Sequence, residues 1–183
     1  MTRRLHTLTA LAAIAVLTAA CNPFGSTSSR ERLPEDPRFA EFTYKTDGTI
    51  EVQERTDSFN ERMPGLGASE GHVVAANFTE GWLLPSPDHH YWLTGVATVP
   101  DETITALMES TTSSTLLPGI YPGLYSQVPP TCQFSTVPAE HANEVLETTK
   151  AKSSSPFGSF KVHELAVSTD CHLVVVTGEG VMG

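Results

Sequence analysis

Proline and glycine cut this chain into short pieces, and past its N-terminal segment the continuous apolar runs have the length of strands. There are 13 of each breaker among 183 residues. Between them lie residues 72–78 (HVVAANF), 91–99 (YWLTGVATV), 160–167 (FKVHELAV) and 171–177 (CHLVVVT), all rich in β-branched or aromatic side chains. Such runs fit a pleated, buried surface and predict strands. Pro85, Ser86, Pro87 and Asp88 separate the first two, and Ser168-Thr169-Asp170 supplies a turn between the last two. Phe42, Tyr44, Ile50 and Val52 alternate with polar residues around Asp47-Gly48, a pairing that predicts a further hairpin. Residues 57–71, with Pro64, Gly65 and Gly67, read as a loop.

Two segments are helical. In residues 101–110 (DETITALMES), Asp101 stands at a capping position, acids fill the first turn, and Ile104, Leu107 and Met108 share one face. Residues 138–150 begin with Pro138 in the first turn and turn Val145 and Leu146 inward. Between the helices, residues 111–130 carry too many prolines and glycines for a regular element. Their Leu116, Leu117, Ile120, Tyr121, Leu124 and Tyr125 are too apolar for a solvated tail, so they either lie over the core or form a binding surface. Strands, helix, loop, helix and strands follow without a βαβ repeat. The expected class is α+β: a mostly antiparallel sheet with two helices and one disulfide.

The N-terminus reads as an address. Arg3 and Arg4 precede an uncharged run from Leu8 to Ala20 (LTALAAIAVLTAA). About 13 residues suits a signal-peptide core, whereas a spanning helix needs about 20. The arginine pair leaves a twin-arginine route open, although His6 and Thr7 stand where that signal prefers large apolar residues. Residues 22–37 (NPFGSTSSRERLPEDP) are too polar to bury a core and act as a tether. Its root-mean-square reach is roughly 20 Å. The expected organisation is a signal peptide over 1–20, a tether over 21–37 and one α+β domain over 38–183.

The end of the signal, Leu17-Thr18-Ala19-Ala20-Cys21, resembles the lipobox of bacterial lipoproteins, with Thr18 where leucine is usual and Leu17 one place further out. The resemblance implies a diacylated Cys21 as mature N-terminus. Two acyl chains are enough for stable anchoring, which one chain alone does not give. The body, notably residues 164–171 (ELAVSTDC), is similar to small lipoproteins of actinobacteria and brings no activity with it. With Cys21 lipidated, Cys132 and Cys171 remain, and in an oxidising compartment they are expected to form a disulfide. No Cys-x-x-Cys occurs, and His172 beside Cys171 would face the other side of a strand, so a catalytic thiol or metal pair is not expected.

Charge narrows the partners. The formal net charge is −10; removing residues 1–20 takes away Arg3 and Arg4 and no acid, which leaves 9 Lys+Arg against 21 Asp+Glu, a net −12. No lysine or arginine lies between Arg62 and Lys150. Nucleic acid is therefore not expected as a partner, because phosphate binding needs clustered cations. The acids are too scattered for a calcium loop.

Catalytic patterns fail on context. Gly67-Ala68-Ser69-Glu70-Gly71 matches Gly-x-Ser-x-Gly, but a nucleophile elbow needs a strand before the serine and a helix after it. His89 and His90 would face opposite sides of a strand, which disfavours one shared metal. Thr177-Gly178-Glu179-Gly180 has no following helix to hold a phosphate. His72, His141, His163 and His172 show no partner spacing. No cofactor or metal is implied.

The expectation is a lipid-anchored protein on the extracytoplasmic face of the cell membrane, acting as a non-catalytic module that binds a protein or glycan. The expected surface combines Trp82, Asp88, His89, Tyr91 and Trp92 with Leu117, Tyr121 and Tyr125 of the apolar loop. Trp82 and the aromatic pair with Asp88 could alternatively be core or stack on a sugar ring. The rival expectations are an enzyme acting on wall polymer or glycan, which needs two carboxylates or a serine and base in one cleft, and a purely structural envelope protein.

Overall fold

Each β-rich run forms a strand in the computed structural model, which describes residues 34–46, 48–78, 89–113, 116–150 and 158–182. The strands are β1 (Gln53–Glu54), β2 (Glu70–Asn77), β3 (His90–Thr98), β4 (Ser135–Val137), β5 (Ser159–Ser168) and β6 (Leu173–Val181). They form one sheet in the order β1-β2-β3-β6-β5-β4, and every neighbouring pair is antiparallel. The helices are α1 (Asp57–Asn60), α2 (Asp101–Met108) and α3 (Ala139–Val145). The class is α+β, and Cys132 and Cys171 are joined in a disulfide.

The sheet is buried on both faces, which explains why its central strands read as continuous apolar runs. β3 is buried at every position from Tyr91 to Ala97. Alternate residues serve opposite layers. Tyr91, Leu93 and Ala97 join Phe59 of α1, Leu107 of α2 and Ala142 of α3 in one cluster. Trp92 and Val96 join Phe39, Ile120, Tyr121, Leu124 and Val128 in the other, so the second face is roofed by loops and by the 3₁₀ turn Pro122–Gln127. Of the apolar residues in this segment, Ile120, Tyr121 and Leu124 are buried over the core and Leu117 and Tyr125 are half-buried there, while Leu116 is exposed.

Three local expectations change. Residues 41–46 and 48–52 form no hairpin: Phe42, Tyr44, Ile50 and Val52 are half-buried against the second core, and Asp47 lies outside the described residues. The period-2 pattern there is that of an extended chain laid on a sheet face, one side chain down and the next up. The segment read as loop contains α1. The second helix ends at Val145 and gives way to a 3₁₀ turn, Thr148–Lys150.

Two asparagines pin loops by the same device. Asn60 Nδ2 donates to the Ala68 carbonyl while its Oδ1 accepts from Ala68 N–H, at 3.0 and 2.8 Å. Asn143 does this to Val162, at 2.8 and 2.9 Å, fastening α3 to the outer edge of β5. Each amide imitates a strand partner for one residue, satisfying backbone groups that would otherwise be stranded.

Candidate functional site

The polar groups of the sheet gather at one place on the loop-covered face. In β5 one extra residue, His163, is inserted: Val162 pairs with Gly178 while Glu164 pairs with Thr177. Bulges of this kind bend the strand and re-aim a side chain. Register then sets two rows across three strands, Trp92–Glu179–Lys161 and Thr94–Thr177–Glu164. Laterally paired residues share a face, so Trp92, Glu179, Lys161, Thr177 and Glu164 lie on one side. His163 Nε2 is 4.0 Å from Glu179 Oε2. Glu164 Oε2 accepts from Gly119 N–H at 3.1 Å and so ties the roofing loop to β5.

Tyr44 closes the inner margin. Its ring lies parallel to Trp92, 3° apart with centroids at 5.2 Å, and its hydroxyl lies beside Thr177 and Glu179. Burial is the main cause that pushes its hydroxyl pKa up to about 12; Thr177 opposes this, and the charges of Glu179 and Glu164 add to it. Two polar atoms beneath it make no well-formed hydrogen bond: Trp92 Nε1 and Thr177 Oγ1. Trp92 is 0% exposed and Thr177 4%. Unpartnered buried groups are rare in folded proteins and costly where they occur.

The raised tyrosine pKa carries a stability prediction. The unfolded chain loses this proton near pH 10 and the folded chain near pH 12, so between them the folded state holds more protons. The contribution is complete below pH 10 and is lost as pH rises towards about 12. Its size is on the order of 2 kcal/mol. Tyr44→Phe is expected to flatten the fall of the urea midpoint over that window; an alkaline slope equal to wild type would refute the assignment.

The residues expected to form a binding surface lie in different places. Tyr91, Trp92 and Tyr121 are not surface residues, at 3%, 0% and 2% exposure: strand alternation sends Tyr91 and Trp92 into opposite cores, and Tyr121, just before the 3₁₀ turn, packs into the second. Leu117 is half-buried, and half-buried Tyr125 stacks on Phe39 at 4.4 Å. His89 is exposed, while Trp82, Asp88 and the lipidation candidate Cys21 lie outside the described residues. Ser69 is exposed at the start of β2, where its N–H donates to Thr98. His89 adjoins the far end of β3, with nine residues from His90 to Thr98 between the two ends. That length is roughly 30 Å of strand, so Ser69 and His89 share no cleft.

Tyr91 is fixed by Arg62, which is 7% exposed: Arg62 Nε donates to the Tyr91 hydroxyl and Nη1 to the Ser58 carbonyl, both at 2.8 Å. Burial draws the Arg62 pKa down and pushes that of Tyr91 up. This pair braces α1 on the sheet. Among the described residues no three His, Cys, Asp or Glu side chains are grouped to hold a metal ion, and no helix is long and apolar enough to cross a membrane.

Compared with known proteins, the chain matches no family model, no curated protein and no solved structure. The site is therefore argued from its own geometry. Sequence reading missed Tyr44, His163, Glu164 and Glu179 as a group because pairing register, not spacing, unites them. One local sign was present: Glu179 stands between Gly178 and Gly180 in an apolar stretch, a carboxylate on a strand whose other face is bare.

Proposed function

We propose that this chain is a lipid-anchored protein of the extracytoplasmic membrane face, and that its body is a non-catalytic binding module of the cell envelope. The observation that carries the reading is the Cys132–Cys171 disulfide. Such bonds persist in oxidising compartments, and this one leaves Cys21 as the remaining cysteine, directly after an export-like apolar run. Binding rather than catalysis is favoured by the separation of Ser69 from His89. The Tyr44–Glu179 region supplies a polar patch beside a stacked aromatic pair, suited to a ligand.

The anchor is tested by metabolic palmitate labelling with membrane fractionation. Wild type is expected to take up label and sediment with membranes, and Cys21→Ala to lose both, because no other acylation site follows the apolar run. Labelling that persists in Cys21→Ala would overturn the reading.

A further inference from the structure

The patch under Tyr44 has a donor and acceptor pattern that selects one ligand chemistry. Ionised Glu164 and Glu179 only accept hydrogen bonds. Trp92 Nε1 only donates, and Thr177 Oγ1 does either. Both of the latter atoms are buried, and Thr177 Oγ1 lies against the Tyr44 hydroxyl, whose place a ligand group would take. The floor is the face of an indole that already accepts a flat ring, that of Tyr44, in parallel. A ligand for this place must present donors to the carboxylates, a hydroxyl or like group to Thr177, and a flat apolar face to the ring. An alkylammonium ion supplies the donors and no flat face. A pyranose supplies all three, through its hydroxyls and its C–H face.

Tyr44 is held in a way that permits displacement. Among the described residues, no backbone–backbone hydrogen bond joins residues 41–46 to the sheet. The segment is fastened at Ala40, whose N–H donates to Leu117 at 2.9 Å, and beyond it at Ile50, whose N–H donates to the Tyr121 hydroxyl at 2.9 Å. In between, ring contacts hold it, Phe42 on Trp92 and Tyr121 and Tyr44 on Trp92 and Phe78, together with the Tyr44 hydroxyl on Thr177 and Glu179.

We infer that residues 41–46 form a flap over a saccharide-binding site, in which Tyr44 occupies the place of a sugar ring on Trp92 and yields it to a pyranose that bonds Thr177 and Glu179. This rests on the binding-module reading and names its ligand class. A closed flap lowers apparent affinity by the fraction of molecules that are open. Removing the tyrosine ring therefore strengthens binding, the reverse of what a mere structural contact would do.

The test uses the full chain in a detergent without a sugar headgroup, carrying Trp82→Phe so that Trp92 is the only tryptophan. Trp92 emission is titrated with the β-1,4-linked N-acetylglucosamine tetramer and with a mannose tetramer. A saturable shift with either sugar is expected. Affinity should rise about tenfold in Tyr44→Ala, as the closed state is removed. It should fall about tenfold in the isosteric Thr177→Val and at least as much in Glu179→Gln, as expected for lost hydrogen bonds. Circular dichroism verifies that each variant is folded. No shift with either sugar up to about 10 mM, far above the Kd of a weak site, in both wild type and Tyr44→Ala overturns the inference. So does binding that Thr177→Val and Glu179→Gln leave intact, or an equal response to butylammonium. A negative titration with palmitate labelling intact rejects the saccharide and leaves the anchor standing, so the two readings fail separately.

Discussion

Phe59→Ala is expected to lower the unfolding free energy by about 3–5 kcal/mol, measured by urea denaturation. The ring is fully buried and lies against two glycines of adjacent strands. A Cβ built on Gly95 would sit 2.4 Å from Phe59 Cζ, and one on Gly71 2.5 Å from Cε2. The aromatic ring thus fills what two missing side chains leave open, and in doing so it anchors α1 to β2 and β3. The same geometry makes Gly95→Ala destabilising in the wild type by about 1–3 kcal/mol, because a rigid ring cannot yield by an ångström. In a Phe59→Ala background that penalty should nearly vanish, since the clashing atoms are gone. The double-mutant cycle should therefore show a coupling of about 1–3 kcal/mol, well beyond the few tenths by which independent sites deviate from additivity. Additive losses would mean that ring and glycine do not meet as described. Because domains are stable by only about 5–15 kcal/mol, the single variant Phe59→Ala already approaches the limit of folding.

The glycines also show where the sequence was legible and where it was not. The strand expected at residues 91–99 is β3, His90–Thr98, nearly residue for residue, because branched and aromatic side chains follow one another without a break. The last strand, in contrast, begins at Leu173, leaving Cys171 in the turn, and runs on through Gly178 and Gly180 to Val181. Those two residues read as the end of an element. In the fold they are small because Phe160 and the Tyr91 hydroxyl lie against them, at 2.6 and 2.3 Å from where a Cβ would stand. A glycine that ends a strand and a glycine that receives a ring look alike until the tertiary neighbour is known.

The roofing segments teach the same lesson at the level of layers. Alternation in Phe42, Tyr44, Ile50 and Val52 correctly announced an extended chain with one apolar side, but a hairpin and a lone strap over a sheet share that period. Which one forms depends on whether the sheet has an uncovered apolar face, and that depends on Trp92, Val96 and Val175, far along the chain. The candidate site inherits this difficulty. Its carboxylates come from two strands whose register is shifted by the single insertion at His163, so no local spacing could have joined Glu164 to Glu179. The disulfide, which needed only a count of cysteines and a compartment, was legible from the start.

Removing that disulfide should have the second large effect. Cys132 and Cys171 are 39 residues apart, and the chain-entropy treatment of such a loop gives about 4 kcal/mol. The bond ties the segment before β4 to the turn between β5 and β6, where Asp170 also accepts from the Ser168 hydroxyl and from Gln133 N–H. Those bonds keep the carboxyl of Asp170 below its ordinary pKa, Ser168 most strongly, and they survive loss of the sulfurs. In Cys132→Ser/Cys171→Ser the native sheet should therefore persist, with its urea midpoint lowered by an amount equivalent to about 2–4 kcal/mol, since measured losses often fall short of the entropic value. Dithiothreitol should bring the wild type to the same midpoint and leave the double variant unchanged. A loss under about 1 kcal/mol would mean that the unfolded chain is already compact around this loop. The location of any early change is informative as well. β4 is only three residues long; β5 holds one side of it, and a single pair of backbone hydrogen bonds between Thr112 and Thr136, at 2.8 and 3.1 Å, holds the other. If the bridge chiefly secures this edge, near-ultraviolet dichroism of the roofing aromatics should change at lower urea than the far-ultraviolet signal of the sheet, whereas a purely entropic bridge moves both transitions together.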